Sequence, residues 1–140
     1  GDFNNVCFSY AQAAELFDFD LWIACPDEFC PKESLNLPNV HFTNSVEEAV
    51  LDSDVVSTDV WVSMGDESHA ADRQAAFLNY QVNESLLDQA KEDVIFLHCL
   101  PAIRGQEISE NIFEDPRSKV FTQAENRLHV QKGLLIELLN

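Results

Sequence analysis

The stretch "DVIFLHCLPAIRG" (Asp93–Gly105) decides how the chain is read. Its apolar run from Val94 to Leu97 fits a strand buried on both faces, as parallel sheets require. The run closes on His98 and Cys99, and Pro101 then stops further pairing because it has no N–H. Open parallel sheets place their ligands outside the carboxyl ends of the strands. A strand that ends in reactive side chains therefore points to a site at that end.

The flanking sequence supplies the rest of such a sheet. Val6–Phe17 carries apolar residues at near-helical spacing and includes Ala11, Ala13 and Ala14. "DLWIAC" (Asp20–Cys25) and "VHFT" (Val40–Thr43) read as short strands, separated by the proline-containing loop Pro26–Asn39. Ser45 and Glu48 have the spacing of a capping box, opening the helix "SVEEAVLDS". "DVVSTDVW" (Asp54–Trp61) is β-branched and strand-like. A polar loop, "VSMGDESHAAD", leads to the helix-prone "RQAAFLNY", and Asn83 caps "ESLLDQAK". Thr122 and Glu125 suggest a second capping box, starting the last helix "QAENRLHVQKGLLIELL". This alternation predicts an α/β fold, a parallel sheet with helices on both faces in a Rossmann-like three-layer arrangement. The strand expected before "GDFNN" (Gly1–Asn5) is missing from the chain.

The 140 residues suit one domain, and an apolar fraction of 46% is that of a globular protein. No apolar run approaches the length of a membrane span, and no signal peptide is visible. The first residue is not Met, which hints at a preceding segment. Eight basic residues against 25 acidic ones give a net charge of −17, which argues against nucleic-acid or anionic-membrane partners. The chain is too long and apolar for its four cysteines to form a disulfide scaffold. Cys25 and Cys30 have no second ligand pair beside them to suggest zinc. Reduced thiols in the cytoplasm are expected.

Three loops and one helix could carry chemistry. "GDFNN" lacks the further glycines of a dinucleotide fingerprint. Asn5 could bind a zwitterionic ligand, being both donor and acceptor, or could simply cap a helix. Asp59 lies in a β-rich run, where a carboxylate is costly unless a ligand amine or an internal Arg pairs with it. Ser63 and Gly65 offer a hydroxyl and open backbone N–H groups, as in loops that close over ligands or in ordinary turns. A nucleophilic Cys99 would need a base, and His98, next to it on a strand, points to the opposite face. Cys99 is therefore better read as pocket lining or an inert thiol, and His98 as structural. Arg127 suits a phosphate or a developing oxyanion, with an exposed helical arginine as the plain alternative.

Taken together, "GDFNNV", "TDVWVSMGDE", "FLHCLPA" and "AENRLHVQKGLL" resemble the second, amino-acid-binding domain of ornithine carbamoyltransferases, in family order and from end to end of the chain. The Ser-Met-Gly and His-Cys-Leu-Pro words mark the ornithine branch rather than the aspartate one. The resemblance implies transfer of a carbamoyl group from carbamoyl phosphate to the δ-amine of L-ornithine, giving citrulline and phosphate, a step of arginine biosynthesis. It implies that Asn5, Asp59, Ser63 and Met64 hold ornithine, and that Asp59 and Cys99 line the path of its side-chain amine. Leu100, through its carbonyl, and Arg127 would contact the carbamoyl group, with Asp59, Cys99 and Arg127 as the catalytic set. No metal or organic cofactor is implied.

The family's Ser-Thr-Arg-Thr-Arg and His-Pro-Thr-Gln segments, which belong to its carbamoyl-phosphate domain, do not occur here. Residues 1–140 are thus expected to be the ornithine half of a cytoplasmic, homotrimeric enzyme, inactive without the missing N-terminal domain. A non-catalytic amino-acid-binding module and a sister carbamoyltransferase acting on another amine are the alternatives.

Overall fold

The computed structural model describes every residue except Glu33, Ser34, Met64 and Asp66, and only the backbone of Glu67. It contains α1 (Asn5–Phe17), β1 (Leu21–Ala24), β2 (Val40–Thr43), α2 (Val46–Val50), β3 (Val55–Thr58), α3 (Ala70–Phe77), α4 (Glu84–Leu87), β4 (Ile95–His98) and α5 (Val120–Leu139). All strand pairing is parallel, with β1 on β2 and β3 on β4. Helices α1 and α2 pack on β1, and α5 packs on β4. This is the expected α/β architecture, resolved into two strand pairs rather than one continuous ladder.

Gly1 stands between the two pairs. Its amino group donates to the Ala24 carbonyl at the end of β1, 2.6 Å away. A Cβ on Gly1 would lie 3.9 Å from the Thr58 hydroxyl at the end of β3. The carboxyl ends of both pairs therefore meet at the "GDFNN" loop.

The main core lies under β3 and β4. Val50, Val56, Val82, Leu86, Leu87, Val94, Phe96, Ile108, Ile112 and Val120 form one buried cluster. Phe96 also bonds outward from β4: its N–H donates to the Arg117 carbonyl and its carbonyl accepts from Lys119, each at 2.9 Å. A second packed group surrounds Phe77, whose ring meets Phe29, Trp61 and Tyr80.

Local code explains several element ends. Asn4 caps α1 and Asn83 caps α4, each through its side-chain oxygen. Ser45 caps α2, accepting from Glu48 N–H at 3.1 Å, but the box is only half made. The Ser45 N–H goes instead to the Thr43 hydroxyl, which also bonds the Glu48 carboxylate. The box expected at Thr122 and Glu125 is absent, because α5 begins three residues earlier, after Lys119, without a side-chain cap. Tertiary pairing sets that start: the Lys119 N–H is held by Phe96 before the helix begins. The "ESLLDQAK" helix stops at Leu87, and Lys91 N–H turns away to the Ser53 carbonyl.

Replacing Phe96 with Ala removes a fully buried ring, and urea unfolding should show a loss of about 3–5 kcal/mol. Thr122→Ala, at an exposed position inside α5, should stay within about 0.5 kcal/mol of the parent. A loss of about 1 kcal/mol at Thr122 would instead reinstate it as a cap.

Candidate active site

The in-register pairing of Thr58 with His98 brings the ends of β3 and β4 side by side. Asp59 and Cys99 follow directly, so both leave their strands at the same level. Asp59 lies just past β3 rather than inside a strand running to Trp61. Its Oδ1 accepts from the next backbone N–H, Val60, at 2.8 Å, a local bond that competes with the ladder and ends it.

Asn4 fixes the same carboxylate from the other side of the loop. Its Nδ2 donates to Asp59 Oδ2 at 2.8 Å, while its Oδ1 accepts from Val6 and Cys7 N–H at 3.0 Å. Asn5, the expected ligand contact, is the exposed first residue of α1, and the helix cap is Asn4. The half-buried Cys99 thiol lies within 4.8 Å of the Asp59 carboxylate. Burial, then the neighbouring Asp59 carboxylate, push Cys99 up to about 12, so it is a neutral thiol rather than a thiolate nucleophile. Among the described residues Asp59 pairs with no lysine or arginine, so the internal Arg weighed as its partner does not fill that role.

Behind Cys99 the chain turns sharply. Leu100 has φ 57, a left-handed conformation costing a bulky residue about 1–3 kcal/mol, and the Leu100–Pro101 peptide is cis. His98 Nδ1 accepts from Leu100 N–H at 2.9 Å. His98 Nε2 faces Glu107 Oε1 at 3.3 Å, and both side chains are fully buried. Ligand atoms of Asp59, His98 and Cys99 lie within 4.8 Å of one another, a spacing a metal ion could bridge. His98 already uses both ring nitrogens, however, so ligating a metal there would break one of these bonds.

Arg127 sits on α5. The His98 N–H donates to Gln123 Oε1 at 3.0 Å, which binds the first turn of α5 to the end of β4. Arg127 follows Gln123 by four residues, on the same helix face and about 6 Å further along. It is exposed and, among the described residues, makes no ion pair. Ser63 is half-buried in the loop after β3, and Met64 lies outside the described residues. Gly65 has φ 99, which a glycine adopts without strain.

Arg73 ties this loop down. Its guanidinium pairs with Asp2, its Nε donates to the Trp61 carbonyl at 2.6 Å, and it lies 4.8 Å above the Phe29 ring. Sequence reasoning missed Asn4, Arg73, Glu107 and Gln123 as parts of the site. Only Asn4 carried a signal, through its place in an Asn-Asn pair ahead of a helix.

The Asp59 carboxylate and the Cys99 thiol thus sit at the carboxyl ends of neighbouring parallel strands, where open α/β folds place their ligands. The family described as "Aspartate/ornithine carbamoyltransferase, Asp/Orn binding domain" matches residues 1–138, and the chain belongs to it. The anabolic ornithine carbamoyltransferase of Pseudomonas aeruginosa is 54% identical over 99% of this chain and 46% of its own length. That of Methanosphaera stadtmanae is 46% identical over 99% of this chain and 49% of its own. The solved ornithine carbamoyltransferase of Thermus thermophilus superposes with a TM-score of 0.88 at 39% identity, covering 100% of this chain and 46% of that one. The chain thus spans about half the length of the curated relatives it matches.

Alkylation of Cys99 at pH 8, followed by mass spectrometry, should be slow, since about one thiol in 10⁴ is ionised there. Asp59→Asn removes a negative charge that raises the thiol's pKa, so labelling should accelerate while burial keeps it below that of a free thiol. Equal rates in both proteins would show that Asp59 does not act on Cys99.

Proposed function

We propose that this chain supplies the ornithine half of a carbamoyl-transfer site. The observation that carries the proposal is the Asp59 carboxylate, fixed by Asn4 beside the Cys99 thiol and, among the described residues, paired with no lysine or arginine. Such a carboxylate matches an incoming ammonium group. In this scheme Asp59 holds the amino acid, with Ser63, Met64 and Asn5 contributing from the loop and the α1 terminus. Cys99 lines the path of the δ-amine.

The amine nitrogen forms a bond to the carbamoyl carbon, and the C–O bond to phosphate breaks. The proton shed by the amine leaves with the phosphate. Leu100, through its carbonyl, and Arg127 orient the carbamoyl group, and Arg127 offsets the charge developing on its oxygen. The carbamoyl-phosphate half comes from outside residues 1–140. Two observations support this: the doubled length of the relatives, and the apolar residues of α5 left more than half exposed, among them Leu128, Leu134, Ile136 and Leu139. A cytoplasmic trimer, as the family resemblance implies, belongs to the same proposal.

The test is citrulline formation from ornithine and carbamoyl phosphate. This chain alone should give none. Joined to the amino-terminal half of the Pseudomonas aeruginosa relative, it should turn over, and Asp59→Asn should lower kcat/KM for ornithine by about 10²-fold or more. Turnover by the chain alone would overturn the half-site assignment. Tight ornithine binding by calorimetry, without turnover in the joined protein, would identify a non-catalytic binding module.

A further inference from the structure

The His98–Glu107 pair is buried more completely than any group assigned to the transfer, and nothing in that scheme uses it. Both side chains are 0% exposed. Replacing such buried pairs with apolar residues is often neutral or stabilising, so fold stability alone does not require one here. What distinguishes the pair is what it bonds. His98 Nδ1 accepts from Leu100 N–H, so the neutral ring carries its proton on Nε2 and directs it at Glu107 Oε1. The same Oε1 accepts from Ile103 N–H at 2.6 Å. Glu107 Oε2 is buried without a partner. One carboxylate oxygen thereby gathers both sides of the turn from His98 to Ile103, and Leu100 lies inside it in its left-handed conformation.

We propose that His98 and Glu107 are positioning residues: together they hold the Leu100 backbone in the conformation that presents its carbonyl to the carbamoyl group. They act through hydrogen bonds rather than through the Glu107 charge. The inference rests on the carbamoyl-transfer proposal above. Neither side chain touches substrate, so neither is a catalytic residue. The pair works on the turn, and the turn works on the reactant, where a misplacement of about 1 Å costs about 10²-fold in rate.

The test uses the complete two-half enzyme and steady-state kinetics. Glu107→Ala should lower kcat about 10²-fold while leaving KM for ornithine unchanged, because ornithine is held by the other strand end. Glu107→Gln should recover most of that loss, since its amide oxygen can accept both bonds without the charge. His98→Asn keeps an acceptor facing Leu100 N–H and should retain more kcat than His98→Gln, which keeps only the reach toward Glu107. Equal loss in Glu107→Gln and Glu107→Ala would overturn the inference, assigning the role to charge. Wild-type kcat in Glu107→Ala, with only the melting temperature lowered, would overturn it in favour of a structural pair. Should Glu107→Ala fail to fold, the two His98 variants decide, and equal kcat values in them would overturn it. A parent enzyme that makes no citrulline would overturn the carbamoyl-transfer proposal itself, an outcome distinct from any ranking among variants.

Discussion

The site depends on one side-chain amide, that of Asn4. Its oxygen satisfies two N–H groups that α1 would otherwise leave open, and its nitrogen holds the Asp59 carboxylate. The start of a helix and the end of a strand 55 residues further on are thereby locked in one geometry. The strand register does the rest, since pairing Thr58 with His98 leaves Cys99 no place except beside Asp59. Both constraints are internal to the chain. Both carboxylate oxygens are held by this framework, Oδ2 by Asn4 and Oδ1 by the Val60 N–H.

Features governed by short-range physics were legible in the sequence. The apolar run into His98, the Ser45 and Asn83 caps and the turn at Pro101 are all decided by neighbours a few residues away. Thr122 and Glu125 have a capping spacing just as good, yet α5 starts elsewhere because Phe96 holds Lys119 across the sheet. Asn4 and Asn5 are chemically identical, and only the first turn of α1 decides which one caps and which one is exposed. The sequence also placed Asp59 inside its strand, whereas its bond to Val60 ends that strand before it. Glu107 was unreadable for a different reason. Its partners, His98 and Ile103, meet it across an irregular turn, where no periodicity relates position to direction.

Charge is distributed in a way that composition alone conceals. The chain carries 25 acidic residues, and three of its arginines are drawn into partners. Arg117 is shared by Asp115 and Asp88, whose bonds raise its pKa further, and Asp115 is held below the usual carboxylate range in return. Arg104 pairs with Glu114, and Arg73 is buried against Asp2 and two aromatic rings. Arg127 alone among the arginines stays exposed and unpaired among the described residues, which leaves its charge open to solvent.

The bond from His98 N–H to Gln123 also has a mechanical consequence. It pins α5 at one end, while most of the helix extends away with its leucines uncovered. With Val120 fully buried and Gln123 bonded to His98, the azimuth of the helix is fixed at that end. Arg127, four residues beyond Gln123 on the same helix face, takes its direction from this one bond. One N–H at a strand end thus sets the bearing of a side chain a helical turn away.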